Sequence, residues 1–356
     1  MMIKKVNLFA SCYFYKTISG MKKYNVGIIG YSWAASAHIA AINNTTFARV
    51  TAICSSRNLD PSEISSRHGT GITFYTDLAR MLEDADIQVV SICSYPADHA
   101  RQAIQCAKAG KHLIIEKPVA LSWEDCLAVE EAVRSVGVRT CVCFECRFSS
   151  QLLTIKAIID KGLLGKIHYG EVDYYHGIGP WYGQFRWNTK KEAAGSSLLS
   201  AGCHALDALL LCMESEVVSV HSFAANSSNR DFAIYEYPTS SVTILKFSNG
   251  SVGKVASVID CLQPYYFHFH LVGSEGTILD NKFYSTQMGS LNRSKWSELS
   301  MKMLDSGDVS DHPYQRQFEE FFKAIEDGKE MPLTSLSDAL KTHKVIFDAD
   351  RSSGHN

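Results

Sequence analysis

The sequence predicts an α/β protein: a doubly wound parallel sheet followed by an α+β domain with a largely antiparallel open sheet. Three observations carry this expectation. Short apolar runs alternate with helical stretches from Tyr24 to Phe144, the pattern of strands buried on both faces by crossover helices. Gly30 breaks the first run directly before a helical stretch, as the strand-to-helix turn of a Rossmann-type sheet requires. Beyond residue 146 strand candidates cluster instead, and Asn249-Gly250 between two of them is a hairpin signal.

The elements follow in order. Tyr24 to Ile29 is a short apolar strand and Ala34 to Ile42 a helix. Arg49 to Cys54 is the second strand. Asp60-Pro61-Ser62-Glu63 opens a helix, with Asp as N-cap and Pro at the first helical position. Ile87 to Cys93 is a buried strand, and His99 to Ala109 is a helix closed by Gly110. His112 to Ile115 is a strand, Ser122-x-x-Asp125 opens a helix, and Thr140 to Phe144 is a further strand. The second part reads as a helix from Gln151 to Asp160, a strand from Ile167 to Tyr175 and an apolar helix from Ser197 to Met213. Strands then cover Val217 to Phe223, Ser241 to Phe247, Ser251 to Val258 and Phe267 to Val272, and helices close the chain at Tyr314 to Glu326 and Leu336 to Asp350. Domains are expected at residues 21–146 and 147–356, with the C-terminal helices of 313–350 in the second.

Bulk properties narrow the functions. A chain of 356 residues with 46% apolar and 20% charged residues suits two globular domains. A formal net charge of -2 gives no electrostatic reason to bind nucleic acid or an anionic membrane. No run approaches the ~18 consecutive apolar residues of a membrane span. The 11 cysteines are scattered, as in reduced, buried thiols of a cytoplasmic protein. Cys141, Cys143 and Cys146 are the closest group, but no second Cys/His cluster matches them. They read as strand-core residues, and no metal is expected. Residues 1–20 make a poor signal peptide, because Asn7, Ser11 and Lys16 interrupt the apolar core. A disordered extension or a mis-assigned start before Met21 is expected.

Val26-Gly27-Ile28-Ile29-Gly30-Tyr31-Ser32-Trp33-Ala34-Ala35 is a degraded G-x-G-x-x-G turn, with Ser32 and Ala35 at the second and third glycine positions. Both replacements are small, so backbone amides of Ser32, Trp33 and Ala34 can still face a pyrophosphate at the helix start. An ordinary strand–helix turn is the alternative. The second strand ends Cys54-Ser55-Ser56-Arg57, with no acid for a ribose 2′-hydroxyl. Arg57 and Ser55 suit a 2′-phosphate instead, which favours NADP slightly over NAD. Asp60 is better used as a helix cap.

Two further constellations carry chemistry. Glu116-Lys117-Pro118 ends a buried strand, where an open parallel sheet binds its ligands. There Lys117 can stabilise an alkoxide as it forms. His204 can take a proton near neutrality, and Asp207, three residues on, shares its helix face and can orient the imidazole. Taken singly, a solvated lysine and a hydrogen-bonded core histidine are the bland alternatives. His176 to Trp187 is rich in glycine and aromatic residues. Its rings suit a sugar face and Arg186 suits hydroxyls or a carboxylate; a loop packed on its own core or an oligomer contact is equally compatible. His268 and His270 read as structural strand residues.

With these residues assembled, the chain resembles the glucose–fructose oxidoreductase/inositol dehydrogenase (Gfo/Idh/MocA) family from Tyr24 to about Asp350. Ser94-Tyr95-Pro96-Ala97-Asp98-His99 is similar to its Pro-rich turn. Ala109-Gly110-Lys111-His112 through Glu116-Lys117-Pro118 is similar to its A-G-K-H…E-K-P segment. Arg147-Phe148 and Gly162 to Ile167 match its entry to the second domain, and Ala194 to Asp207 its second-domain signature. The resemblance implies a nicotinamide cofactor beside Pro96, His99, Glu116 and Lys117. It implies His204 as general base on a sugar or polyol hydroxyl, with Arg186, Trp187 and Ser200 near the substrate. Homodimers or homotetramers across the open sheet face are implied too. One departure stands out: many dehydrogenases of that family carry an acid four residues before the histidine, and here the position is Ser200. A self-recycling glycosidase or lyase holding NAD tightly, and a non-catalytic nucleotide sensor, are the competing expectations.

Overall fold

The computed structural model describes residues 24–183, 185–289, 291–292, 294–305 and 312–354. The expectation for residues 1–20 lies outside them, as does Gln184. The first sheet has the order β3-β2-β1-β4-β5-β6, all parallel. Its strands are β1 (Tyr24–Ile29), β2 (Ala48–Cys54), β3 (Thr73–Tyr75), β4 (Val89–Ile92), β5 (His112–Ile115) and β6 (Thr140–Val142). Helices α1 (Trp33–Asn44), α2 (Pro61–His68), α3 (Leu78–Glu83), α4 (Pro96–Lys108) and α5 (Trp123–Val136) connect them. The strand order reverses between β1 and β4, so the loops after those strands flank a crevice.

The local signals do what their chemistry dictates. Asp60 caps α2 by accepting from Ser62 N–H, with Pro61 at its first position. Ser122 caps α5 by accepting from Asp125 N–H. Short β3 and α3 escaped the sequence reading because three residues carry too little periodicity.

The second sheet has the order β14-β13-β12-β11-β7-β10-β9-β8. Its strands are β7 (Ile167–Tyr175), β8 (Val217–Ala225), β9 (Ser240–Phe247), β10 (Val252–Val258), β11 (Tyr266–Gly273), β12 (Gly276–Leu279), β13 (Lys282–Ser285) and β14 (Ser297–Glu298). All pairs are antiparallel except β7 with β10. The Asn249-Gly250 turn joins β9 to β10 as expected. Helices α6 (Ser150–Asp160), α7 (Phe185–Asn188), α8 (Lys191–Ala194) and α9 (Cys203–Met213) accompany this sheet.

The helix expected over Ser197 to Met213 is not uniform. Leu198–Gly202 forms a wider π turn before α9 begins. Gly202 sits where a Cβ would lie 2.4 Å from Ser257 Cβ, so this helix start packs against β10 at glycine distance. By length and composition alone, Lys191–Met213 is long and apolar enough to cross a membrane. Its apolar window is 78% buried inside the protein, so that surface serves the core.

The expected domain division needs one correction. Helix α10 (Tyr314–Glu326) does not join the second sheet. Tyr314, Phe318, Phe321 and Phe322 pack in one core with Val26, Ile28, Ile39 and Ile42 of β1 and α1. The chain thus returns to the first sheet before α11 (Leu336–Ser352) runs back along β8, α9 and α5. Four large aromatic residues on one face of α10 needed an apolar partner, and the face of the first sheet carrying α1 offers it.

Candidate active site

At the crevice, Gly30 adopts φ +86°, and a Cβ there would lie 2.8 Å from the Cys93 carbonyl oxygen. No other residue type fits that turn without strain. Ser32 stands at the N-cap of α1 but does not cap it. Its hydroxyl donates instead to the Cys93 carbonyl at 3.2 Å. The helix start at Trp33 and Ala34 is therefore left without a side-chain acceptor, which fits a pyrophosphate. At the end of β2, Ser55 is buried and its hydroxyl accepts from Arg57 N–H at 3.1 Å, while the Arg57 side chain is exposed. Asp60 and Asp77 are engaged as caps of α2 and α3.

The loop after β5 carries Lys117, and its backbone is held from three sides. Glu116 is buried and its Oε1 lies 2.9 Å from His38 Nε2 of α1 and 2.8 Å from the Tyr314 hydroxyl of α10, while Oε2 accepts from Lys117 N–H. His38 Nδ1 meets Ser91 Oγ at 2.8 Å. The Pro118 carbonyl accepts from His99 Nδ1 at 2.7 Å, and Val119 N–H donates to His343 Nε2 of α11 at 3.0 Å. Burial opposes both charges of the His38–Glu116 pair, but Cys93 and Glu116 together hold the imidazole up at about 10. Burial would raise Glu116, and the His38 hydrogen bond and charge outweigh it and hold the carboxyl down. His99 is lowered by burial, and its ring nitrogens lie 2.7 Å from the Pro118 carbonyl and 3.2 Å from the Ser94 carbonyl. It fixes the lysine loop from beneath rather than lining the cleft.

The Lys117 ammonium donates to the Ser200 carbonyl at 3.1 Å. That carbonyl lies in the π turn, where the wider ladder frees backbone groups for other partners. Burial pulls Lys117 down, but Cys203, Glu116, Glu145 and Tyr182 around it leave it raised and charged. His204 follows four residues after Ser200 and is buried; burial first, then the Lys117 charge, hold it well below the usual histidine range. Its Nδ1 has no hydrogen-bond partner among the described residues, and its Nε2 faces Glu145 Oε1 at 3.8 Å. His312 Nε2 faces the same oxygen at 3.6 Å. The site thus holds an imidazole with an unpartnered nitrogen near an ammonium.

Asp207 requires a correction. It does not orient His204. Its two oxygens accept from Arg147 Nε at 2.6 Å and Arg147 Nη2 at 2.5 Å, and Oδ1 also accepts from Thr342 at 2.8 Å. Arg147 donates further to the Leu333 carbonyl and to Asp338. A buried guanidinium competes for the carboxylate more strongly than a neutral imidazole does.

Aromatic rings frame the cleft. Trp33 meets His312 edge-on at 5.8 Å, and Tyr95 from the Pro96 turn meets Trp187 at 5.8 Å. Tyr182 and His176 lie edge-on at 5.1 Å, close enough to Lys117 for both to feel its charge. Pro96 is buried at the α4 start, and Arg186 is exposed beside half-buried Trp187. Sequence reasoning missed His38, Glu145, His312, Tyr314 and His343. The signal for Glu145 was present: an acid inside the apolar run Val142-Cys143-Phe144-Glu145-Cys146.

Comparison with known proteins identifies the family. The model of the oxidoreductase family GFO_IDH_MocA, NAD-binding Rossmann fold, matches residues 24–144, and that of the GFO/IDH/MocA C-terminal domain matches residues 152–279. An uncharacterized oxidoreductase, YrbE, of Bacillus subtilis is 26% identical, covering 93% of this chain and 94% of its own. Myo-inositol 2-dehydrogenase of Thermotoga maritima is 23% identical, covering 73% of this chain and 76% of its own. The solved structure of levoglucosan dehydrogenase with NADH and levoglucosan superposes with TM-score 0.78 at 22% identity, over 94% of this chain and 97% of that one. The chain belongs to the GFO/IDH/MocA oxidoreductase family.

Two outcomes follow from the buried charges. Asp207→Ala leaves Arg147 buried without its main partner, so a loss of about 3–5 kcal/mol is expected in chemical denaturation, with the pH profile of turnover unchanged. His38→Ala should cost about 3–5 kcal/mol at pH 6. Because the folded His38 pKa is raised, its contribution is full below about 6.5 and is lost as pH rises towards about 10. The difference between wild type and variant, measured by urea titration at several pH values, should therefore shrink over that window.

Proposed function

We propose that this member of the family is a pyridine-nucleotide-dependent dehydrogenase that oxidises a secondary hydroxyl of a sugar or polyol and reduces the corresponding ketone in reverse. The observation that carries it is the convergence of Lys117 and His204 at the crevice beside the glycine turn. Gly30, Ser32, Trp33 and Ala34 would hold the pyrophosphate, and Arg57 with Ser55 the adenosine ribose. When bound, the nicotinamide supplies the hydride acceptor. His204 Nδ1 takes the hydroxyl proton, and the Lys117 ammonium stabilises the developing alkoxide, a charge-assisted contact that strengthens as charge grows. Tyr95, Trp187 and Tyr182 offer ring faces to the carbon side of a sugar, and Arg186 offers donors to its hydroxyls. The related inositol and levoglucosan dehydrogenases act on substrates of this class by name. Exposed Arg57 at the end of β2, with Asp60 and Asp77 each capping a helix through Oδ1, supports NADP as the preferred nucleotide. Buried free thiols suit a reducing, cytoplasmic setting.

We also propose that the outer face of β8 and β9 pairs with a second copy. Phe223 is 76% exposed there and lies opposite Val242, with Ile244 exposed beside it. A stripe of this kind on an antiparallel face is a docking surface.

Nucleotide reduction should appear with NADP or NAD against a panel of inositols, sugars and glycosides. His204→Ala and Lys117→Ala should each lower kcat by about 100-fold or more. Arg57→Ala should raise KM for NADP while leaving that for NAD in place. Equal turnover by wild type and His204→Ala would overturn the assignment. Light scattering at micromolar protein should return a multiple of 39.5 kDa, and Phe223→Glu should return the monomer.

A further inference from the structure

Position 200 holds a serine, so the usual acid beside the base is missing from α9's approach. Glu145 stands on the other side of the same imidazole. It opens the short 3-10 turn after β6 (Glu145–Phe148) and is buried. Its Oε1 lies 3.8 Å from His204 Nε2 and 3.6 Å from His312 Nε2. Its Oε2 has no hydrogen-bond partner among the described residues. A carboxyl buried with one oxygen unsatisfied is costly to the fold, and its aim at two histidines is what the location yields. We infer that Glu145 takes over the role of the missing acid and links His204 to His312 as a proton relay leading out of the site.

The inference rests on the dehydrogenase reading above. The substrate O–H proton passes to His204 Nδ1, and a bound oxidised pyridine nucleotide would take the C–H hydride. The Nε2–H proton of His204 passes to Glu145 Oε1, and from there to His312 Nε2. His312 carries it towards the surface, where its ring meets exposed Trp33. One proton enters and one leaves at each member, so charge balances; His204 is left with its proton on Nδ1 and regains the Nε2–H form by proton exchange once the ketone has left. The present separations are longer than hydrogen bonds; such contacts tighten when substrate fills a site.

The groups facing Glu145 come from every packed element. Glu116 and Lys117 lie on the β5 loop, Cys143 on the β6 end, Cys146 on its own turn, Cys203 and His204 on α9, and His312 and Tyr314 before and on α10. Burial first, then the Glu116 charge, push the Glu145 carboxyl up to about 8, against the pull of Lys117. Only the ionised carboxylate can accept a proton. Oxidation therefore rises with pH through about 8, and the reverse reduction falls through the same range.

The test compares wild type, Glu145→Gln, Glu145→Asp and His312→Gln as full-length protein. For Glu145→Gln, kcat for oxidation should fall about 100-fold with KM for the nucleotide unchanged, and the alkaline rise should vanish. Glu145→Asp should restore part of both, and His312→Gln should slow turnover less. A second readout needs no substrate: ring resonances of His204 and His312, followed by NMR across pH, should shift their titration in Glu145→Gln. Wild-type rates with an unchanged pH profile in Glu145→Gln would sink the relay while leaving the dehydrogenase standing. If wild type reduces no nucleotide with any polyol, the functional reading fails instead. The histidine titrations then decide the relay: unaltered curves in Glu145→Gln overturn it, and shifted curves uphold the coupling. If Glu145→Gln fails to fold, Glu145→Asp carries both readouts.

Discussion

A buried carboxylate must be paired, and Glu116 is one such carboxylate here. Its partners come from three distant places: His38 from the nucleotide-turn helix, Tyr314 from the helix near the C-terminus, and the backbone of its neighbour Lys117. Each bond satisfies a group that would otherwise be orphaned, so the three elements cannot drift apart without stranding a charge. The Lys117 loop inherits this rigidity, and His99 and His343 fix the next two residues from below and behind. A buried ion pair is weak as a source of net stability, because desolvation offsets attraction. Its use here is geometric: it sets the ammonium of Lys117 relative to the helix start where a nucleotide's phosphates would lie.

The same constraint explains why the chain crosses back between domains. Tyr314 has to reach Glu116, and the aromatic face of α10 packs on β1 and α1 while it does so. The second domain's signature helix then approaches from the opposite side, and Gly202 lets it close on β10. In the π turn, the Ser200 carbonyl becomes an acceptor for Lys117. The ammonium thus meets a neutral dipole from one domain and the charge of the Glu116 carboxylate from the other, which help keep it charged.

Most of the architecture was legible in the sequence because it rests on local rules. Alternating runs, the caps at Asp60 and Ser122, Gly30 and the Asn249-Gly250 turn each act within a few residues. What was not legible rests on partners far apart in the chain. Asp207 looked like the partner of His204 at helical spacing, yet Arg147 sits 60 residues away and wins it through two charge-assisted bonds. His38 looked like one more residue of an apolar helix; its meaning lies in a carboxylate 78 residues on. The C-terminal helix was assigned by position in the chain, whereas its aromatic face decided where it packs.

On the proposed relay, the serine at position 200 leaves the base without an acid on its own helix, and Glu145 would supply one from the other side. A base that must take and release a proton needs a route for it, and a carboxyl on either side of the ring can provide one. Placing that carboxyl on the turn after β6 rather than on the base's own helix changes its electrostatics. Glu145 shares its surroundings with Glu116, so two acids near one lysine cannot both ionise cheaply. Glu116, paired with His38, keeps the charge; Glu145 is left as the group that titrates near neutrality. The rigid pair that holds the lysine therefore also sets the proton affinity of the acid behind the base, so structure and proton transfer depend on the same buried charge.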